Sequence, residues 1–217
     1  MRKLKDSRRP EILDAALAVA AERGLDALSM RTVAQRLGLT PMALYGYFRS
    51  KDELLDAVVG RLLSEIPDPP PGLGWRETVE HLAYGLREVA ARHPSVLPLL
   101  LTRPAISPAA MRIVDAAYAA LLVAGVPPVQ VPRVERMLST FVIGHTLSEV
   151  SGRFGDGTMD PAARRAQLPP EELPGHNALA AHLDTAVPWA EEFRADLRDL
   201  CDLVESLGRA TAAGPRG

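Results

Sequence analysis

The N-terminal part of the sequence places helix starts and helix stops so close together that only short helices and tight turns fit between them. Ser29 can cap a helix over residues 29–37, and Gly38 suits the left-handed position that ends it. One residue further on, Thr40 and the proline after it supply a cap and a first-turn proline for a short helix ending at Phe48. This spacing predicts a helix-turn-helix, whose second helix can enter a DNA major groove about 12 Å wide.

Longer helices flank this pair. Apolar residues recur every three or four positions over residues 10–23, where a proline suits the first turn and Gly24 suits the stop. On the other side, an S-x-x-E capping box at Ser50 begins a helix over residues 51–66. We therefore predict a three-helix DNA-binding domain over residues 1–51, called the head below, and a fourth helix that connects it to the rest.

The second helix of the pair carries an unusual outward face. A purely structural helix would expose lysine and glutamate, whereas this one exposes small, apolar and aromatic side chains with cations just beyond them. Tyr45 could instead be a core residue with only its hydroxyl in water, but Tyr47 is harder to explain in that way. The predicted outward residues are Thr40, Met42, Ala43, Tyr45, Gly46 and Tyr47, followed by Arg49 and Lys51.

The charge is distributed unevenly, although the formal net charge of the whole chain is only -2. Residues 1–51 carry ten basic and five acidic side chains, a net charge of +5, which leaves -7 for residues 52–217. Attraction to phosphates supplies most sequence-independent affinity for nucleic acid, so a basic head on an acidic remainder fits an anionic polymer. A solvated basic tail is the alternative that charge alone leaves open.

The remainder of the chain also predicts helices and no strand. A proline-rich hinge over residues 67–74 separates the head from a larger helical domain over residues 75–217, called the body below. Within the body, helices are predicted over 75–92, 108–124, 132–154 and 188–210, with a mobile glycine- and proline-rich loop over 152–187 that contains one helix around 177–186. The predicted fold class is all-α.

Several functional classes are excluded by composition. No uncharged apolar run is long enough to span a membrane, and the charged N-terminus does not resemble a secretion signal. The single cysteine, Cys201, cannot form an intramolecular disulfide and is expected to be buried and inert. His145 and Glu149 have metal-ligand spacing, but such a pair is more often a core histidine near a solvated acid. We expect a cytoplasmic protein without metal or cofactor.

Two runs, over residues 29–38 and 41–55, resemble the DNA-binding domain of the tetracycline-repressor family. The second run contains L-Y-G-Y-F-R-S-K-D-E-L-L, which fits a long signature of that family. The similarity continues into the body at Trp75, at Thr102-Arg103-Pro104 and at Phe141 with Gly144. It implies a dimeric transcription factor, usually a repressor, that a small molecule releases from its operator.

The resemblance also implies which residues would meet DNA. Arg31 would reach a base edge, Lys51 would bind phosphate, and the residues between them would line the groove. Gly46 and Met42 depart from the residues of the tetracycline repressor, so the operator sequence should differ. The full predicted set is Arg31, Thr40, Met42, Ala43, Tyr45, Tyr47 and Lys51.

The implied effector site departs from the tetracycline repressor as well. Leu99 and Pro67 stand where that protein has histidines, and Ser148 stands where it has an acid, so a magnesium-tetracycline chelate is not the expected effector. We expect a hydrophobic small molecule, aromatic or polyketide-like. The predicted lining is His81, Leu82, Tyr84, Leu86, Leu99, Thr102, Arg103, Met137, Phe141, His145 and Ser148, with Arg103 open between an effector contact and a helix cap.

Two apolar stripes predict how the chain associates. One lies on the helix over 132–154 and the other on the helix over 188–210, and a monomer of this size would leave part of each uncovered. We therefore predict a homodimer through these two helices. The rival hypothesis is a helical enzyme acting on an apolar substrate, but the sequence has no aspartate-rich metal motif, nucleophile elbow or phosphate-binding loop.

Overall fold

The computed structural model describes residues 2–152, 161–185 and 187–212, and within these ranges the regular elements are all helical. The predicted all-α class is therefore confirmed. The helices are α1 (Arg2–Arg23), α2 (Met30–Arg36), α3 (Pro41–Tyr45), α4 (Lys51–Leu63), α5 (Trp75–Arg92), α6 (Leu99–Thr102), α7 (Pro108–Val123), α8 (Val131–Val150), α9 (Pro161–Arg165), α10 (Pro174–Ala178), α11 (Ala180–Leu183) and α12 (Trp189–Ala212).

The helix-turn-helix forms from the predicted caps. The Ser29 hydroxyl accepts the backbone N–H of Thr32 at 3.1 Å, and the Thr32 hydroxyl oxygen accepts the backbone N–H of Ser29 at 3.0 Å. The Thr40 hydroxyl accepts the backbone N–H of Ala43 at 3.2 Å and so begins α3. These caps satisfy backbone donors that have no partner inside the helix, a contribution of about 1 kcal/mol each.

The first helix differs from its prediction. It begins at Arg2 and continues through Pro10, although Pro10 was expected to stand in its first turn. A proline inside a helix removes one backbone donor, so one hydrogen bond is missing at this point. The apolar face behind it is as predicted, since Ile12 and Ala16 are fully buried against the helix-turn-helix.

The loop between α3 and α4 is held by a carboxylate. Ser50 caps α4 through the backbone N–H of Glu53 at 3.1 Å, as predicted. The return half of the capping box is displaced by one residue, because Glu53 accepts the backbone N–H of Arg49 at 2.7 Å. Glu53 also lies 3.5 Å from Arg9, whose guanidinium stacks 4.5 Å from the centre of the buried Phe48 ring. The N-terminal helix is thereby fastened to the end of the helix-turn-helix.

The fourth helix packs against both the head and the body. It contacts α1 on one side and α5, α6 and α7 on the other. At its end, Glu65 accepts hydrogen bonds from Arg61 at 2.9 Å, Arg92 at 2.5 Å and His93 at 3.1 Å, while Arg61 also bonds Asp14 of α1. The buried side chains of the head and body form one continuous cluster. The division into a head over 1–51, a hinge over 67–74 and a body over 75–217 stays a prediction.

In the body, α5, α7 and α8 pack on one another, and α12 covers α8. The described part of the segment 152–187 contains three short helices, α9 to α11, instead of one helix around 177–186. Two contacts hold it together: Arg165 binds Asp184 at 2.8 and 2.7 Å, and Asn177 donates to the Pro170 carbonyl at 2.7 Å. The last two residues of the predicted 132–154 helix lie outside the described ranges.

The buried stripe of α12 is largely covered within one chain. Phe193, Leu197 and Val204 are at most 1% exposed, although a monomer was expected to leave part of this stripe open. Cys201 lies in the same stripe, and burial raises the pKa of its thiol to about 11, so the reactive thiolate is disfavoured. None of the helices in the described ranges is long and apolar enough to cross a membrane.

One close approach between helices gives a test of the packing. A Cβ placed on Gly60 of α4 would lie 2.7 Å from the Cβ of Ser107, the cap of α7. We expect Gly60→Ala to lower the free energy of unfolding by about 1–3 kcal/mol because the two helices must separate. Urea denaturation measures this. The double variant Gly60→Ala/Ser107→Gly should recover most of the loss, since glycine at a cap costs only a few tenths of a kcal/mol, and no recovery would contradict the steric explanation.

Candidate functional site

The outward face of α3 is exposed as predicted. Met42 is 79% and Tyr45 49% exposed, and Thr40 and Ala43 are also open to solvent. The anchor on the opposite side is Leu44, which is fully buried. A short helix that is anchored by one leucine thus presents a continuous set of side chains outward, as a recognition helix requires.

Tyr47 is placed differently from Tyr45. It is only partly exposed and packs against the core, so the tyrosine that was harder to explain as a core residue is the more buried of the two. The reason is the short length of α3, which ends at Tyr45, so that Tyr47 lies in the turn that leads to the buried Phe48. Its phenol can still meet a phosphate at the edge of the face.

Cations stand at both ends of this face. Arg31 is exposed in the first turn of α2, and Lys51 is exposed as the first residue of α4. Neither forms an ion pair with any residue that the structure describes. Arginine can bind the O6 and N7 atoms of guanine with two hydrogen bonds, whereas lysine suits a phosphate oxygen. The face therefore has the chemistry to read bases in the middle and to neutralise phosphate at its edges.

A cavity of about 210 Å³ lies in the body beneath α4. Its wall is largely apolar, and three of the predicted ligand residues, Leu82, Leu86 and Arg103, contribute to it. The full lining is Val59, Leu63, Ile66, Val79, Leu82, Ala83, Leu86, Leu100, Arg103, Ala105, Ala110, Ile113, Val114, Ala117, Glu135, Leu138, Ser139, Val142 and Ile143.

Three other residues of the predicted ligand lining lie together outside this cavity. Phe141, His145 and Ser148 line a separate, more open cleft between α8 and the start of α12, with Trp189 and Glu192 on its other side. The face of α8 that bears them is turned toward α12 and away from the cavity. The spacing along α8 was sufficient to group these three residues. They line a different space from Leu82 and Leu86, however, which the spacing could not reveal.

The remaining predicted residues line neither space. His81 Nε2 lies 3.0 Å from the Pro67 carbonyl oxygen, and the Tyr84 ring packs 5.4 Å from that of Phe193. Leu99 is buried in the core, and the exposed Thr102 donates to the Pro98 carbonyl. Met137 packs on the core from α8.

Two polar residues of the cavity were missed by sequence reasoning. Glu135 and Ser139 stand one turn apart on α8, on the face that also carries the buried Leu138 and Val142. The sequence signal was available, because a glutamate and a serine at this spacing interrupt an otherwise apolar stripe. A signal of this kind is ordinarily attributed to the solvent-exposed side of a helix.

Arg103 links the cavity to the head. It lines the cavity, and its guanidinium donates to Asp52 Oδ1 at 2.5 Å and to Asp56 Oδ1 at 3.2 Å, both on α4. Its backbone ends α6 through the Leu99 carbonyl, but its side chain does not cap that helix. Because Asp52 follows Lys51 directly, this ion pair joins the cavity wall to the edge of the outward face.

The cleft between α8 and α12 contains an unusual histidine. Both ring nitrogens of His145 are buried and have no hydrogen-bond partner among the described residues, and the ring packs edge-on against Phe193 and Trp189. Burial is the largest influence and lowers its pKa; Asp196 and Glu149 raise it, Arg87 lowers it and Glu192 raises it, each with a smaller effect than burial. The structure thus stabilises the neutral ring.

Glu149, the possible metal partner of His145, is engaged by an arginine. Both carboxylate oxygens of Glu149 accept hydrogen bonds from Arg87, at 2.8 and 2.6 Å. In the ranges that the structure describes, no three histidine, cysteine or acidic side chains converge in a way that could hold an ion.

Comparison with known proteins matches the N-terminal and the C-terminal parts of the chain to two family models. Residues 12–58 match the family described as bacterial regulatory proteins, tetR family, and residues 66–190 match the tetracyclin repressor-like C-terminal domain. The HTH-type transcriptional repressor DrrR1 of Streptomyces coeruleorubidus is 31% identical over 206 residues, which cover 90% of this chain and 76% of DrrR1.

Solved structures with a similar fold cover nearly the whole chain. Apo ActR from Streptomyces coelicolor superposes with a TM-score of 0.79 at 26% identity, covering 94% of this chain and 97% of ActR. ActR in complex with actinorhodin gives 0.76 at 26% identity, covering 90% and 94%. BioQ with its natural double-stranded DNA operator gives 0.67 at 26% identity, covering 91% and 98%.

The fold and the exposed face of α3 define a helix-turn-helix transcription regulator, and its body contains a largely apolar cavity. The chain belongs to the tetracycline-repressor family of bacterial regulatory proteins. It is a ligand-responsive DNA-binding regulator and not an enzyme, so the rival hypothesis of a helical enzyme is set aside.

Removal of Lys51 and removal of Arg31 should have different effects on DNA binding. We expect Lys51→Ala to weaken binding to all DNA sequences alike and to reduce the slope of log affinity against log salt by about 0.9. Arg31→Ala should instead cost about 1–3 kcal/mol mainly on sequences with the preferred base. Fluorescence anisotropy at several salt concentrations separates these effects. Arg194→Ala, an exposed cation on α12, is the control, and equal behaviour of Lys51→Ala and Arg31→Ala would contradict the assignment.

The buried neutral ring of His145 makes stability depend on pH. Its pKa lies below the ordinary value of 6.5 in the fold, so the unfolded chain takes up the proton first as the pH falls. The free energy of unfolding should therefore drop between about pH 7.5 and 5.5. His145→Phe should flatten this decline, as urea denaturation at both pH values would measure. The same slope in wild type and variant would show that another group causes the decline.

Proposed function

We propose that the protein is a repressor that binds a near-palindromic operator as a homodimer and is released by a small, mainly hydrophobic effector. The exposed face of α3 reads the operator, and the cavity beneath α4 takes the effector. Because bacterial operator DNA lies in the cytoplasm, we propose that the protein acts there.

One contact carries the link between effector and DNA. Arg103 lines the cavity, and its guanidinium bonds Asp52 and Asp56 in the first two turns of α4. The side chains of Arg103 and Asp56 are 22% and 25% exposed, so this pair is partly shielded from solvent, whereas Asp52 is 74% exposed and its ion pair is more strongly screened. An effector that displaces Arg103 would release the N-terminal end of α4 together with Lys51.

The cavity also touches α4 directly. Val59 and Leu63 of that helix form part of the wall, so a bound molecule bears on the helix that connects head and body. Release from DNA requires that the effector prefer the arrangement in which α4 has moved. A coupling of about 1–3 kcal/mol is usual and corresponds to a change of about 5- to 150-fold in operator affinity.

The effector class follows from the wall. Sixteen of the nineteen lining side chains are apolar, which favours a hydrophobic molecule with few polar groups. The relation to ActR supports this choice, because that protein has been solved in complex with actinorhodin and with (S)-DNPA.

The homodimer is proposed through α8 and α12, at the open cleft between them. Thr140, Gly144 and Ser148 are small residues one turn apart on α8, and a Cβ on Gly144 would meet nothing within 4 Å. A partner helix can approach closely at such a face, and two copies of α8 and α12 would form a four-helix interface. Phe193 and Leu197 are already covered by the same chain, so they support this interface from behind.

The operator experiment tests the whole proposal. The promoter next to the protein's own gene is titrated with purified protein in a gel-shift assay at several salt concentrations, and native mass spectrometry counts protomers per DNA. We expect two protomers per site and an affinity that falls steeply with salt. Salt-insensitive binding, or no binding to neighbouring DNA, would overturn the proposal, and one protomer per site would overturn the dimer.

The Arg103 contact gives a sharper prediction. We expect Arg103→Ala to weaken operator binding about tenfold without effector, because α4 loses its bond to the body. Arg112→Ala is the matched control, since Arg112 is an exposed α7 arginine that lies 3.8 Å from Asp68 and does not bond α4. Gel-shift titration of the three proteins measures the effect. Equal affinity of Arg103→Ala and wild type would exclude a coupling role for this contact.

A further inference from the structure

The cavity has three polar side chains in its wall, and they are not equivalent. Arg103 is engaged with Asp52 and Asp56 of α4. Glu135 and Ser139 share one face of α8, one turn apart, and both line the same space. The polarity that remains available to a ligand is therefore concentrated at the α8 side of the cavity.

Glu135 has no cationic partner there. In the described part of the chain, no lysine, arginine or histidine forms an ion pair with its carboxylate. Its neighbours on the same helix are Ser139 and Arg136, and both act to lower its pKa. The Ser139 hydroxyl donates to the Arg136 carbonyl at 3.3 Å, so its proton is directed to the helix backbone.

Burial makes this carboxylate costly to ionise. Loss of solvent is the largest influence and raises the pKa of Glu135, while Ser139 and Arg136 offset only part of it. A half-buried carboxylate in this state is stabilised by any group that brings a positive charge or a strong hydrogen-bond donor next to it. The protein itself does not supply one at this position.

We propose that the effector is an amphiphile with an apolar body and a protonated amine, and that the amine binds Glu135 beside Ser139. This inference rests on the proposed role of the cavity as the effector site and adds the chemistry of the ligand. The apolar body contacts the leucine, valine, isoleucine and alanine side chains of the wall. A carboxylate ligand is disfavoured, because it would face Glu135 while Arg103 is held by α4.

A cation is preferred over a neutral donor for a physical reason. A neutral hydroxyl can donate to a carboxylate, but it leaves the negative charge of Glu135 in a largely apolar cavity. An ammonium group both donates and removes the net charge, and charge-assisted hydrogen bonds are about twice as strong as neutral ones. The two cases can be separated by ligands of the same shape.

The test uses three probes with a common ring: 1-naphthylmethylamine, 1-naphthylmethanol and 1-naphthoic acid. Each is titrated by isothermal calorimetry into wild type, Glu135→Gln and Glu88→Gln, where Glu88 is an exposed acid on α5. We expect the amine to bind wild type about tenfold more tightly than the alcohol. Glu135→Gln should remove that advantage and leave the alcohol unchanged, and Glu88→Gln should behave as wild type.

Three outcomes would overturn the inference: equal affinity of amine and alcohol for wild type, tighter binding of the acid, or no detectable binding of the amine. An amine advantage that survives in Glu135→Gln would overturn it too. Thermal unfolding of both variants checks the fold, and Glu135→Asp, which keeps the charge, should retain part of the amine preference.

Operator binding is measured on the same preparations. Amine binding at Glu135 by a protein that fails to bind operator would refute the proposed function and leave the ligand chemistry standing. Operator binding by a protein that shows no preference for the amine would refute the ligand chemistry alone.

Discussion

The burial of α4 between head and body is the constraint on which the rest of the structure depends. Leu54, Val58 and Leu62 of this helix are at most 1% exposed, because α1 covers them on one side and α5 to α7 on the other. A packed core transmits displacement instead of absorbing it. A helix that is shared in this way cannot shift in the body without moving its contacts with α1.

The cavity and several ion pairs contact this same helix. Val59 and Leu63 of α4 line the cavity, and Arg103 binds the N-terminal end of the helix. Just beyond its C-terminal end, Glu65 accepts hydrogen bonds from Arg61, Arg92 and His93. In the proposed function, the same helix would meet the effector and carry the edge of the DNA-reading face. Binding energy in the cavity and at the operator would then act on one element, which is the physical requirement for coupling two sites.

Local chemistry explains why the head could be predicted well. The caps at Ser29, Thr40 and Ser50 bond residues three positions further along the chain, so they can be predicted from the sequence alone. Tyr45 and Tyr47 show the limit of that reasoning. Both lie on a short segment with no long periodicity, and the end of α3 at Tyr45 decides which ring is outward.

The sequence by itself determined the all-α fold, the helix-turn-helix, the basic head and the family, since each follows from short spacings, composition or a long continuous motif. Only the tertiary structure decided which side chains meet across helices that are far apart in the chain. It separated Leu82 and Leu86 from Phe141, His145 and Ser148, and it directed Arg103 to α4. It also turned Glu135 into the cavity. The periodicity of a helix shows which residues share a face, but the neighbour that covers that face is set by the packing of the whole bundle.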